Sequence, residues 1–245
     1  MRNIRLLLQY EGTRYQGWQR QGSSENTIQG RLETLLGRMC GEPVELSASG
    51  RTDAGVHALG QVANFRTNCP MPTGEMLQYI NRYLPEDIAV TEVSEAGPRF
   101  HSRLNAKGKQ YRYLVLNSSV PDVFLRRYSL QVAEPLNLSA MERGARYLEG
   151  EHDFASFTSA KKGKKSTIRR LDSISVEQEG SLISFTFTGN GFLHHMVRIL
   201  VGTLLEAGEG KRDADSIPAL IEAKNRQLAG ALAPSKGLTL MKVFY

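Results

Sequence analysis

With 245 residues, 40% of them hydrophobic and 23% charged, the chain can bury a core without covalent staples and is too apolar for whole-chain disorder. No apolar run approaches the roughly 18–20 residues of a membrane span. The start, Met1-Arg2-Asn3-Ile4-Arg5-Leu6, lacks the apolar stretch and small-residue cleavage site of a signal peptide. Thirty-one basic residues against 25 acidic ones leave a charge of +6, a mild pull toward an anionic partner, of which nucleic acid is the commonest.

Ile4, Leu6, Leu8 and Tyr10 alternate as a strand does, and Glu11-Gly12-Thr13 ends it. Ile28, Leu32, Leu35, Leu36 and Met39 recur at helical spacing, with Asn26 or Thr27 as N-cap and Gly41-Glu42-Pro43 as the break. Val44, Leu46 and Ala48 alternate as a second strand, a loop bounded by Gly50 and Gly60 follows, and Val62 to Arg66 reads as a third. Thr73 caps a helix carrying Met76, Leu77, Ile80 and Leu84, Pro85 stops it, and Ile88 to Val93 is a fourth strand. The order is βαββαβ, the split βαβ of ferredoxin-like folds.

The second half repeats that order with additions. Tyr111 to Leu116 is strand-like, and Ser139-Ala140-Met141-Glu142 reads as a capping box opening a helix to Leu148. Ile168–Val176 and Leu182–Thr188 are strands, Phe192–Ala207 a strongly apolar helix, Ser216–Lys224 a short one, and Leu238, Leu240 and Val243 a last strand. The expected class is α+β, as two ferredoxin-like (RRM-like) domains, 1–103 and 104–245, with mostly antiparallel sheets that join and a basic groove between them.

Cys40 and Cys69 are the only cysteines. They permit one disulfide but no framework of bridges and no metal knuckle, which fits a reducing, cytoplasmic setting; Cys40 also reads simply as a small hydrophobe.

Five segments could carry chemistry or bind a partner. In Ser49-Gly50-Arg51-Thr52-Asp53-Ala54-Gly55-Val56-His57, two glycines flank a carboxylate, a cation and a hydroxyl. Asp53 is the natural nucleophile or base there; the competing reading is an Asx-type turn. Tyr15-Gln16-Gly17-Trp18-Gln19-Arg20-Gln21 holds the only tryptophan, in a loop after a strand. Trp18, Gln19 and Arg20 could stack on bases and bond to them or to phosphates, or Trp18 could plug a core edge. On the strand through Gln110-Tyr111-Arg112-Tyr113 the two tyrosines share a face, either for a base to stack on or in the core. Gly189 to Arg198 leads from a strand into the apolar helix. Adjacent His194 and His195 on a helix point about 100° apart and would not chelate one ion. Arg198, flanked by Val197 and Ile199, must snorkel or find an anion, for which Asp53 is a candidate. Lys161, Lys162, Lys164, Lys165, Arg169 and Arg170 share an acid-free stretch, either a solvated loop or a phosphate-contacting arm. No phosphate loop or dinucleotide fingerprint is present, so neither a nucleoside triphosphate nor a nicotinamide is expected.

These residues closely resemble the TruA family of tRNA pseudouridine synthases over nearly the whole chain. The resemblance is carried by Gly50-Arg51-Thr52-Asp53-Ala54-Gly55-Val56-His57, by Tyr10-Glu11-Gly12-Thr13 with Tyr15 to Gln21, by the Tyr111 strand, by Phe192 to Arg198, and by Ala233-Pro234-Ser235-Lys236-Gly237-Leu238. Glu11 stands where the family usually has Asp. The resemblance implies a homodimeric isomerase acting on uridines 38 to 40 of the tRNA anticodon stem-loop, without cofactor or metal. It implies that Asp53 is the nucleophile, that Tyr111 stacks on the flipped uracil and serves as a candidate base at C5, and that Arg198 pairs with Asp53. It implies an RNA contact at Arg51, a pocket wall at Leu238, and Lys161 and Lys162 on the tRNA-binding surface. The alternative from another class is a non-catalytic RNA-binding module, which gains nothing from a carboxylate held against phosphates.

Overall fold

The computed structural model describes residues 1–22, 24, 26–160 and 166–245. Two compact units emerge, Met1–Lys107 with Thr239–Tyr245, and Gly108–Leu238. The first contains β1 (Arg2–Tyr10), α1 (Ile28–Cys40), β2 (Ser47–Ala48), β3 (His57–Thr67), α2 (Thr73–Tyr83) and β4 (Ile88–Ala96). The second contains β5 (Gly108–Asn117), β6 (Leu130–Val132), α3 (Leu138–Arg146), β7 (Gly150–Asp153), β8 (Ile168–Glu179), β9 (Leu182–Gly189), α4 (Met196–Gly208) and α5 (Ile217–Ala223). The last strand, β10 (Leu238–Phe244), returns to the first unit, whereas the sequence division placed residues 104–245 together.

In the first unit β1 lies between β3 and β4 and is antiparallel to both. Its alternation buries Ile4, Leu6, Leu8 and Tyr10 on one face, against Ile28, Leu32 and Leu36 of α1 and Met76 and Ile80 of α2 in one core. The other edge of β3 is shared. β2 pairs antiparallel at Asn64 and Ala63, and β10 pairs parallel at His57 and Ala58. A C-terminal strand filling an edge 180 residues away from it in sequence leaves no local signal, so the boundary was not legible. Thr27 is the cap of α1, its hydroxyl accepting from Gly30 N at 3.1 Å.

In the second unit the order is β5-β9-β8-β7, antiparallel throughout, with β6 parallel on the other side of β5. Tyr111, Tyr113 and Val115 face the core beside their cross-strand partners Phe187, Phe185 and Ile183. Helix α4 buries Ile199, Leu200, Val201 and Leu204. Two local expectations differ. α3 is capped by Asn137, which accepts from Ala140 N at 3.0 Å, rather than by Ser139. α4 begins at Met196, four residues later than the periodicity suggests, because His195 takes a left-handed φ of 64° that breaks helical geometry. The whole is a mixed α/β fold with mostly antiparallel pairing, and no described helix is long and apolar enough to cross a membrane.

Candidate active site

The residues singled out from the sequence fall in both units. Trp18, Gln19, Arg20, Arg51 and Asp53 lie in the first, and Tyr111, Arg198 and Leu238 in the second. Lys161 and Lys162 lie outside the described residues.

Asp53 sits in the connection from β2 to β3, half-buried between exposed Arg51 and Ala54. Its own carbonyl accepts from Val56 N at 3.2 Å, closing a four-residue turn. Gly55, the third residue of that turn, has φ 77°, which a side chain would strain. The turn is therefore closed through the main chain.

A buried polar chain fixes the segment leading into the turn. Gln61, fully buried on β3, donates to Gly50 O at 3.0 Å and to Tyr10 Oη at 3.4 Å, and accepts from Ser49 Oγ at 2.7 Å. Tyr10 Oη in turn bonds Thr52 Oγ1 at 2.8 Å. Burial pushes the Tyr10 hydroxyl up to about 12, so it stays neutral at physiological pH. Four side chains thus hold Ser49, Gly50 and Thr52, the approach to Asp53, without any group that titrates near neutrality.

The Tyr15–Gln21 loop braces the same turn. Trp18 N donates to Thr52 O at 3.0 Å, and Gly17, at φ 87°, lies so close that a Cβ would come within 2.7 Å of Thr52 O. Gly12 N donates to His57 Nδ1 at 3.0 Å. Trp18 is 2% exposed, its ring 6.0 Å from that of Tyr10, so it fills the core rather than offering a face to a base. Gln19 is half-buried. Arg20 is exposed and pairs with Glu33 Oε2 at 3.2 Å.

In the second unit Tyr111 is 8% exposed and meets the edge of Phe192, centroids 5.0 Å apart at 80°. His194 and His195 precede α4 rather than lying on it, and their imidazoles stack at 3.7 Å. Arg198 occupies the first turn of α4, where the helix dipole disfavours a cation. The extended segment 229–234 positions it, since Arg198 Nε donates to Ala233 O at 2.7 Å and Ala233 N to Arg198 O at 3.2 Å. Tyr113 Oη donates to Pro234 O at 2.8 Å, and burial raises its pKa. Leu238 is buried.

Sequence reading missed Gln61, Thr52 and the 229–234 segment as supports. Gln61 carried a signal, a polar residue between Gly60 and Val62 on an otherwise apolar strand. Gln61→Leu removes the acceptor for Ser49 Oγ and the donor to Gly50 O and Tyr10 Oη, at about 1–3 kcal/mol. A lowered Tm together with at least a tenfold loss of turnover is expected, read by thermal melting and by the activity assay below.

The family profile described as tRNA pseudouridine synthase matches residues 7–105 and 145–245. The chain is 45% identical over 245 residues to tRNA pseudouridine synthase A of Acetivibrio thermocellus, covering 100% of both. It is 46% identical over 245 residues to tRNA pseudouridine synthase A of a Geobacillus species, covering 100% of this chain and 98% of the relative. To tRNA pseudouridine synthase A 2 of Bacillus cereus it is 44% identical over 243 residues, 99% of each.

Proposed function

The chain belongs to the tRNA pseudouridine synthase family, and from that premise we propose that it isomerises uridine to pseudouridine at positions 38 to 40 of the tRNA anticodon stem-loop. The observation that carries the reading is the Asp53 turn, a half-buried carboxylate on a backbone-closed turn whose approach is stapled by Tyr10, Thr52, Gln61 and Ser49. A pure RNA-binding module has no use for such a fixed anion beside phosphates.

The chemistry balances without a co-substrate. The C1′–N1 bond of the uridine breaks, uracil turns, and a C1′–C5 bond forms; the C5 proton leaves and N1 gains one. Asp53 assists by adding to sugar or base, or by taking the ribose 2′ proton. The target base must first leave its stack, a cost of a few kcal/mol that phosphate contacts and stacking offset. In this proposal Tyr111 supplies the stacking ring and receives the C5 proton, and Arg198 pairs with Asp53. Arg51 and Arg20, both exposed, with Gln19 contact the RNA, Trp18 supports their loop from the core, and Leu238 adds apolar wall. Lys161 and Lys162 extend the phosphate-binding surface. The resemblance adds two ferredoxin-like domains and a homodimer, and the sparse cysteine usage adds a cytoplasmic setting.

The test is tritium release from anticodon-arm transcripts labelled at uridine C5, with purified protein and no additives. Release is expected; its absence in a protein that still binds the tRNA would overturn the isomerase in favour of a binding module. Tyr111→Phe keeps the ring and loses the hydroxyl. A rate reduced at least tenfold with unchanged tRNA affinity is expected, and an unchanged rate removes the hydroxyl from the proton transfer.

A further inference from the structure

The proposed isomerisation uses neither cysteine, and both are free thiols in the first unit. Cys40 ends α1, and Cys69 lies two residues beyond β3. Backbone and side-chain bonds bring these two chain ends together. Glu42 Oε1 accepts from Thr67 Oγ1 at 2.5 Å and from Asn68 N at 2.7 Å. Cys69 N donates to Thr67 Oγ1 at 3.0 Å, and Arg2 Nη1 holds the Cys69 carbonyl at 2.7 Å. Thr67 and Cys69 are among the groups that act most directly on the Cys40 thiol, so the two thiols are neighbours. Cys69 is 7% exposed, whereas Cys40 is half-buried and so the one a reagent meets first.

We propose that Cys40 and Cys69 are a modification site, a dithiol that a low-molecular-weight disulfide such as oxidised glutathione converts to an intrachain disulfide. The Cys40 thiolate attacks one sulfur of the reagent, forming a mixed disulfide and releasing one thiol. The Cys69 thiolate then attacks the Cys40 sulfur, closing the bond and releasing the second thiol. Two cysteine thiols are oxidised, the reagent is reduced to two thiols, and the two protons go with them. Burial, foremost, holds the Cys40 thiol above its usual range, so the first attack quickens as pH rises.

The bond would lie far from the catalytic turn. α1 starts at the Trp18 loop, where Ile28 N and Gln29 N donate to Gly17 O and Trp18 O, and β3 starts beside Asp53. Cys40 and Cys69 sit at the opposite ends of those elements, about 20 Å along the helix axis. The cross-link therefore ties α1 to the β3–α2 connection and restricts the unfolded chain without moving the turn.

The test treats the full chain with oxidised glutathione at pH 8 and records its intact mass, its titratable thiols and its melting temperature. The expected product is a chain two hydrogens lighter and not cross-linked to another, with no free thiol, melting several degrees higher and reverting with a dithiol reductant. Cys69→Ser should stop at a glutathione adduct on Cys40. Should that variant fail to fold, the wild-type mass alone decides. A wild-type chain that retains a glutathione adduct, keeps a free thiol or links only to a second chain overturns the proposal.

Discussion

Asp53→Ala should release no tritium above background while binding anticodon-arm tRNA within about twofold of the parent protein. Loss of a nucleophile commonly removes three or more orders of magnitude in rate, and a factor of ~10³ is about 4 kcal/mol of transition-state stabilisation. Two features of the turn make the experiment clean. The bond closing it, Val56 N to Asp53 O, uses the main chain and survives the substitution. The groups that hold its approach, Gln61, Tyr10, Thr52 and Ser49, are untouched. The melting temperature, recorded beside the rate, separates loss of chemistry from loss of fold. Asp53→Asn, nearly isosteric but neutral, should be equally inactive. Substantial turnover by either variant overturns the assignment of Asp53.

Much of this arrangement was legible in the residue pattern, and what was not has identifiable physical causes. The alternation of Ile4, Leu6, Leu8 and Tyr10 and the helical spacing from Ile28 to Met39 report one-sided burial, and those elements stand where the pattern put them. Backbone geometry with no hydrophobic signature was harder to foresee. The left-handed His195 delays α4 to Met196, although Phe192 and Leu193 continue an apolar run. Strand β3 starts at His57 rather than Val62, its first residues pairing with β1 at Ala58 and with β10 at His57 and Ala58, the latter an interaction that sequence distance hides. Strands β6 and β7 are three and four residues long and carry no usable period. At the candidate site the motif residues were visible as motifs, but their supports were not. Trp18 looked equally suited to RNA and to the core until its burial against Tyr10 was seen. The polar chain from Ser49 through Gln61 and Tyr10 to Thr52 joins three separate segments, so no single window of sequence contains it.

Gly202→Ala reverses the usual sign of a helix substitution. In the middle of a helix such as α4, replacing Gly by Ala normally stabilises by about 1 kcal/mol, since Ala has less conformational freedom to lose. Here a Cβ would stand 1.8 Å from Ala231 O and 2.9 Å from Ala231 C, both backbone atoms. To restore an ordinary contact the carbonyl must retreat by roughly 1.5 Å. It cannot do so alone. Gly230 N donates to Thr203 Oγ1 at 3.0 Å, Ala233 holds both ends of the Arg198 residue, and Pro234 O accepts from Tyr113 Oη. Shifting that segment breaks or lengthens several of these bonds, each worth about 1 kcal/mol. A net destabilisation of about 2–4 kcal/mol is expected. The same movement withdraws the carbonyl that aims the Arg198 guanidinium, so turnover should fall alongside stability, at temperatures where the variant is fully folded. If the rate loss runs through Arg198, adding Gly202→Ala to Arg198→Ala should cost little further rate while still lowering Tm. A variant that melts higher than the parent would show that the 229–234 segment yields freely, and its role in positioning Arg198 would fall with that result.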